Sequence, residues 1–209
     1  MPGAKAAAKP KYDVHPGVAM MRKWADELPA KTGRSLDQWA ALVNASGIDE
    51  RKDRIAWLKD HHKLGSNSAW LIVAYAADRH SWDGDPDVYL KQAGRYVDGM
   101  FAGPKATLRP IFERVVAEAR KLGRDVKVCP CKTIVPFYRN RVFAEVKPAT
   151  RTRVELSFAL TGVPFKGLLR PNPRADEDDR LKHQVHLATP ADVTADVLKW
   201  LKTAYDQDA

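Results

Sequence analysis

Cysteine is scarce in this chain, with two among 209 residues, which excludes a disulfide framework as the source of stability and fits a reducing, cytoplasmic setting. Long apolar runs are missing as well. The longest, Ala69 to Ala77, falls far short of the roughly 20 residues that a membrane-spanning helix needs, so no membrane partner is expected. The opening stretch MPGAKAAAKPKYDVHPG carries lysines but no unbroken apolar segment, and no secretory signal is expected from it. Nor does the chain contain a Gly-rich phosphate loop, a nucleophile elbow or an HExxH pair, which removes the commonest signatures of nucleotide hydrolysis, acyl transfer and zinc proteolysis. No internal repeat occurs, no cofactor is implied, and binding rather than catalysis is expected.

What is abundant is positive charge on an otherwise ordinary globular composition. Hydrophobic residues make up 44%, enough for a packed core, while 35 Lys and Arg against 26 Asp and Glu give a net charge of +9 and a pI near 9.6. That balance favours polyanionic partners, nucleic acid or an acidic protein. The charge is concentrated: between positions 120 and 153 the basic side chains of Arg120, Lys121, Arg124, Lys127, Lys132, Arg139, Arg141, Lys147, Arg151 and Arg153 face only Asp125 and Glu145.

Hydrophobic periodicity divides the chain. Residues 1–15 are mostly Ala, Lys and Pro and are expected to form a flexible basic tail. Residues 16–82 carry helical stripes: Val18, Met21, Trp24 and Leu28 up to Pro29; Leu36, Trp39, Leu42 and Val43 behind a Ser35/Gln38 capping box; then Ile55, Trp57 and Leu58, and a fourth helix capped by Ser66-Asn67-Ser68. The turn-rich stretch from Ser81 to Pro86 marks a domain boundary. Beyond it, residues 86–209 are expected to form an α+β domain. It starts with a short helix weakened by Gly94 and Gly99, followed by a strong helix from Pro104 to Leu122. An antiparallel meander follows within Gly123 to Leu160, a proline- and glycine-rich surface loop over 161–180, a last strand over Leu181 to Leu187, and a helix capped by Thr189 and Asp192 with Val193, Val197, Trp200, Leu201 and Ala204 on its stripe. The fold class is thus α+β, a helical module followed by a meander covered on one face by two helices.

Several stretches resemble a bacterial family that pairs a small helical N-terminal domain with a C-terminal α+β domain, both of unknown function. TGRSLDQWAALV and RIAWLKDHHKLG carry the likeness over residues 32–77, and LRPIFERVV, LGRDVKV, KTIV, RVFAEVKPATRTRVEL and VLKWLKTAY carry it from Leu108 to Tyr205. That family often has Gly and His after its third helix, where this chain has Gly65-Ser66-Asn67-Ser68. The resemblance implies an α+β C-terminal domain and carries no established activity with it.

For function, the alternation in Arg141 to Lys147 and Arg153 to Leu160 predicts a wet sheet face. There Lys127, Arg141, Lys147 and Arg153, together with Lys132 and Arg151 of the same basic stretch, are expected to pair with phosphates, while Phe143 or Tyr138 offers a ring for base stacking. The alternative is a protein-interaction or accessory module. A third reading takes Asp125 with Glu145 and Lys147 as the outline of a Mg²⁺-dependent nuclease, against the plainer one of solvated cross-strand charges. Cys129 and Cys131 with His183 or His186 have the donor types of a zinc site, but packing as two small buried groups is the simpler reading, and no metal is expected. His61, His62 and Lys63 precede a helix start, where a phosphate can sit or where an ordinary cap suffices.

Overall fold

Helix α1 (Pro16–Thr32) starts with Pro16 in its first turn and His15 as its cap, the His15 Nδ1 accepting from Gly17 N at 2.9 Å. It does not stop at Pro29. That residue removes only its own N–H, Thr32 Oγ1 donates to the Leu28 carbonyl at 2.7 Å, and the helix ends at Gly33, whose φ of 73° suits a residue without a Cβ. The structure, a computed structural model, describes residues 11–79 and 84–209. Residues 1–10, most of the expected tail, and 80–83, which overlap the expected boundary, lie outside the described residues.

The Ser35/Gln38 box forms as its spacing predicts: Ser35 Oγ accepts from Gln38 N at 3.2 Å and Gln38 Oε1 from Ser35 N at 2.8 Å, opening α2 (Leu36–Ala45). Helix α3 (Arg51–His62) and helix α4 (Ser66–Ala77) follow. Ser66, Asn67 and Ser68 fall inside the first turn of α4 rather than before it, and the cap position is taken by Gly65 without a side-chain bond. Leu28, Trp39, Val43, Leu58, Leu71 and Ile72 form the buried core of these helices. The described residues fall into two compact units, His15–Gln92 and Ala93–Ala209 with 11–14.

Helix α5 (Pro86–Met100) contains that division. Asp85 caps it, accepting from Asp87 N at 2.8 Å and Val88 N at 3.1 Å, and the helix runs unbroken through Gly94 and Gly99 because Tyr89, Ala93, Val97 and Met100 are buried along one stripe. The expected helix from Pro104 to Leu122 is divided. Pro110 has no N–H to offer the Ala106 carbonyl, so Gly103–Leu108 forms a 3₁₀ turn and α6 (Arg109–Leu122) begins afresh.

The sheet of the second unit is antiparallel throughout, with strands β1 (Lys127–Val128), β2 (Val135–Tyr138), β3 (Val142–Pro148), β4 (Val154–Phe158), β5 (Arg170–Pro171) and β6 (His183–Leu187) in the order β1-β2-β3-β4-β6-β5. Residues 11–14, assigned by sequence to the tail, run beside β1: Asp13 N donates to Val128 O and Val128 N to Asp13 Oδ2, both at 2.9 Å, and Tyr12 is buried. Val135, Phe137, Ala144, Val146, Leu156, Phe158, Val185 and Leu187 form the apolar face of the sheet, covered by α6 and α7 (Ala195–Asp206). The Thr189/Asp192 box forms too, but it opens a short 3₁₀ turn, Pro190–Asp192, and α7 starts only after Thr194. Trp200 is half-buried and Tyr205 buried. Among the described residues no helix is long and apolar enough to cross a membrane.

The second face of the sheet is not the open surface that the alternation suggested. All five residues of β4 are buried, Glu155 and Ser157 included. The proline-rich 161–180 stretch adds β5 to the edge of the sheet beside β6 and brings the side chains of Asn172 and Arg174 to that face. Gln184 Nε2 donates to Ser157 Oγ at 3.3 Å and to Asn172 Oδ1 at 3.4 Å, and the Arg174 guanidinium stands 3.6 Å from Glu145 and 3.5 Å from Glu155. The burial of these polar groups is thereby matched by partners.

Candidate anion-binding cleft

Three turns meet at one end of the second unit. Cys131 N donates to Ile134 O at 2.8 Å, closing the β1–β2 loop with Lys132 and Thr133 at its tip. Pro148 ends β3, having no N–H for the ladder, and Ala149 N and Thr150 N both donate to Arg153 O at 3.1 and 3.3 Å, which puts Arg151 at the tip of the β3–β4 turn. Between α5 and α6 the chain turns at Gly103, φ 54°, a conformation glycine takes without strain, and then presents Lys105. Lys105 Nζ donates to the Pro148 carbonyl at 2.7 Å, joining two of these turns.

Together they line a cleft of about 520 Å³. Its lining is of two kinds, cationic from Lys105, Lys132, Lys147 and Arg151 and apolar from Met100, Ala102, Pro104, Pro148 and Ala149; no carboxylate lines it. Among the described residues these four cations form no ion pair, whereas Arg120, Arg139, Arg141 and Arg153 of the basic stretch each face a carboxylate. Four cationic groups in one concavity raise the local concentration of anions.

Three of the seven residues singled out from the sequence, Lys132, Lys147 and Arg151, are therefore brought together. Lys127 is exposed on β1 and does not line the cleft. Arg141 lies at the β2–β3 turn, 3.7 Å from Asp208, and Arg153 is held by Glu155 at 3.1 Å. The expected role of Phe143 in stacking is corrected. The pairing shifts between Phe137 and Tyr138, so that Tyr138 faces Val142 and Phe137 faces Ala144, leaving Phe143 as the extra residue of a bulge. Its ring is fully buried, 6.3 Å from Phe137 and edge-on to Tyr205 at 5.7 Å. Lys105 was missed by sequence reading. Its only signal is the Gly103-Pro104 turn before it, which points a following polar side chain outward.

The other constellations do not converge. The Asp125 carboxylate accepts from Tyr205 Oη at 2.8 Å and from Arg139 Nε at 2.9 Å, bonds that hold its pKa below the ordinary range. Glu145 is pushed the other way by burial, opposed by Arg174 and Lys147. Each carboxylate thus has its own partners. Cys129 is buried, its thiol aimed at Val14 O at 3.7 Å and pushed up by burial to about 12, too high to supply a thiolate at neutral pH. His183 Nε2 faces Val163 O at 2.8 Å, and among the described residues no three His, Cys, Asp or Glu side chains gather into a metal-binding group. In the first unit His61, His62 and Lys63 line a separate cavity of about 660 Å³, with the His62 ring edge-on between Trp39 at 5.2 Å and Trp57 at 4.7 Å.

Comparison with curated proteins and comparison with solved structures both give no match. Family comparison gives two. Residues 21–78 match a domain of unknown function, DUF4287, and residues 97–208 match a second, DUF5655. The latter covers more than half of the chain and takes in all six strands, α6, α7 and the whole lining of the cleft, so the protein belongs to the DUF5655 family of domains of unknown function.

Proposed function

We propose that this protein binds polyanions, nucleic acid foremost, through phosphate contacts made by the cleft of the second unit. The observation that supports this is the grouping of Lys105, Lys132, Lys147 and Arg151 in one concavity without a carboxylate, on a chain of net charge +9. A cation with no internal partner gives up only water and small anions when a phosphate arrives, and the counterions released from the polyanion drive association. Such contacts position a backbone and carry no sequence code. With Phe143 buried, ring stacking is not part of the reading.

The test is binding of the full chain to a labelled oligonucleotide across a salt series. Four contacts imply a log–log slope of about −3 on a single strand. Binding that is absent at about 50 mM salt, where even non-specific contacts are strong, would remove the reading. A second reading, a protein-interaction module, has one observation in its favour: Phe165 and Leu168, on one loop, are each 52% exposed. Partners that persist from lysate after nuclease treatment and are lost with Phe165→Ser would favour it.

A further inference from the structure

The shape and lining of the cleft say more about the anion than its charge does. This step rests on the polyanion reading and names the class of ligand within it. A volume of about 520 Å³ lies in the range of small-ligand pockets. Double-stranded nucleic acid is a rigid rod that presents its phosphates on a convex surface and cannot enter such a space without being opened. A single nucleotide unit can enter.

The lining is of two kinds. Lys132, Lys147 and Arg151 have no ion-pair partner among the described residues, and Lys105 spends one of its three protons on Pro148 O while keeping two to donate. Among them, Ala102, Pro104 and Ala149 offer methyl and ring carbon with no side-chain donor or acceptor. A ligand that satisfies both kinds of lining is itself divided: phosphate in one part, and a flat or weakly polar body in another. Inorganic phosphate would leave the apolar lining wet, and an acidic peptide would bring carboxylates with flexible polar backbone to it. No aromatic ring lines the cleft, so the body is held by area rather than by stacking, which gives little discrimination among bases.

From this we infer that the cleft takes one nucleotide unit at a time, its phosphate on the lysine and arginine side chains and its sugar and base against the carbons of Ala102 and Pro104. The unit comes either from single-stranded nucleic acid or from a free nucleotide, since both offer the same chemistry.

Substituting Ala102 by Trp tests it without touching charge. Ala102 is exposed, in extended conformation at φ −88° and ψ 161°, so the larger side chain fills the cleft and leaves the core alone. The full chain is titrated with a labelled oligothymidylate of about ten nucleotides, a length suited to one such site, and with a duplex of the same charge. Expected results are tighter binding of the single strand, a roughly tenfold loss on Ala102→Trp, and an unchanged duplex affinity. Thymidine monophosphate is expected to compete where thymidine does not; competition as strong as that of the oligonucleotide identifies the free nucleotide as the source, and weaker competition identifies the strand. If single-strand affinity survives Ala102→Trp unchanged while the salt dependence persists, the cleft inference falls and the polyanion reading stands. If neither nucleic acid binds, both fall. Far-UV circular dichroism of the variant confirms that it is folded.

Discussion

Two sets of basic residues in the second unit end in opposite circumstances. At the C-terminal side of the second unit Arg139 meets Asp125 at 2.9 Å and stacks over Tyr205 at 4.3 Å, and Arg180 meets the buried Asp208 at 2.9 Å. On the outer sheet face Arg153 and Arg174 are shared between Glu155 and Glu145. At the cleft, Lys132, Lys147 and Arg151 form no ion pair among the described residues, although Lys147 stands across from Glu155 in the ladder and acts on Glu145. The first set fastens the fold, and the second is left for something outside it. Charge count cannot separate the two, because it does not say which cations meet a carboxylate: Asp125, Glu145 and Glu155 lie within or beside the basic stretch, whereas Asp208 arrives from the far end of the chain.

The sharpest blow to the fastened side is truncation within its core. Phe143→Ala removes a fully buried ring at the bulge and is expected to destabilise the second unit by about 3–5 kcal/mol in urea unfolding. A cost below about 1 kcal/mol would mean that the ring sits on the surface, as the strand alternation suggested. Asp208→Asn is next. Asp208 is 2% exposed and accepts from Arg180 Nη2 at 2.9 Å and Arg141 N at 2.8 Å, while Asn140 Nδ2 donates to its backbone carbonyl. Removing the charge leaves Arg180 partly buried without a counterion, and because that guanidinium is about a third exposed the expected loss is about 2–3 kcal/mol, below the usual range for a fully buried pair.

The smallest expected effect concerns pH. His186 Nε2 stands 3.0 Å from Gln184 Oε1, and its Nδ1 faces Arg170 Nη1 at 3.4 Å, so the neutral ring donates to Gln184 and accepts from Arg170. Burial, and then Arg153 and Arg170, lower its pKa from 6.5, with Glu155 opposing. The unfolded chain therefore takes up the proton first. The stability this ring contributes is complete above about pH 6.5 and is lost as pH falls through the folded value. His186→Gln should flatten stability against pH over that window, and an unchanged slope would show that other groups set it.

Much of this architecture was legible in local pattern. The Ser35/Gln38 box, the Asp85 cap before Pro86, the apolar stripe of α6 and the meander itself are short-range signals, and each appears where the spacing puts it. What escaped is what long-range packing decides. The bulge at Phe143 turns a ring inward although its neighbours alternate regularly, because Phe137 and Tyr205 offer it a partner surface. The face carrying Glu155 and Ser157 reads as wet until the stretch that bears Asn172 and Arg174 folds over it. The basic site was legible as a composition but only in part as a place: Lys147 stands across from Glu155, the partner of Arg153, as the alternation implied, but it also lines a cleft with Lys105, Lys132 and Arg151. Lys105 lies 42 residues before Lys147 in the chain, beyond the reach of any periodicity.

The contrast between fastened and unfastened charge is tested most directly by the salt dependence of single-strand binding in two variants with altered charge. Lys132→Ala, Lys147→Ala and Arg151→Ala combined remove three of the four cleft cations and should make the log–log slope shallower by about 2, with stability unchanged within about 0.5 kcal/mol. Arg139→Ala with Arg153→Ala, compared at a temperature where both proteins are folded, should lower stability and leave the slope within about 0.5 of the parent. Equal slopes for the parent and the cleft variant, or a larger change from the arginine pair than from the cleft, would contradict the account.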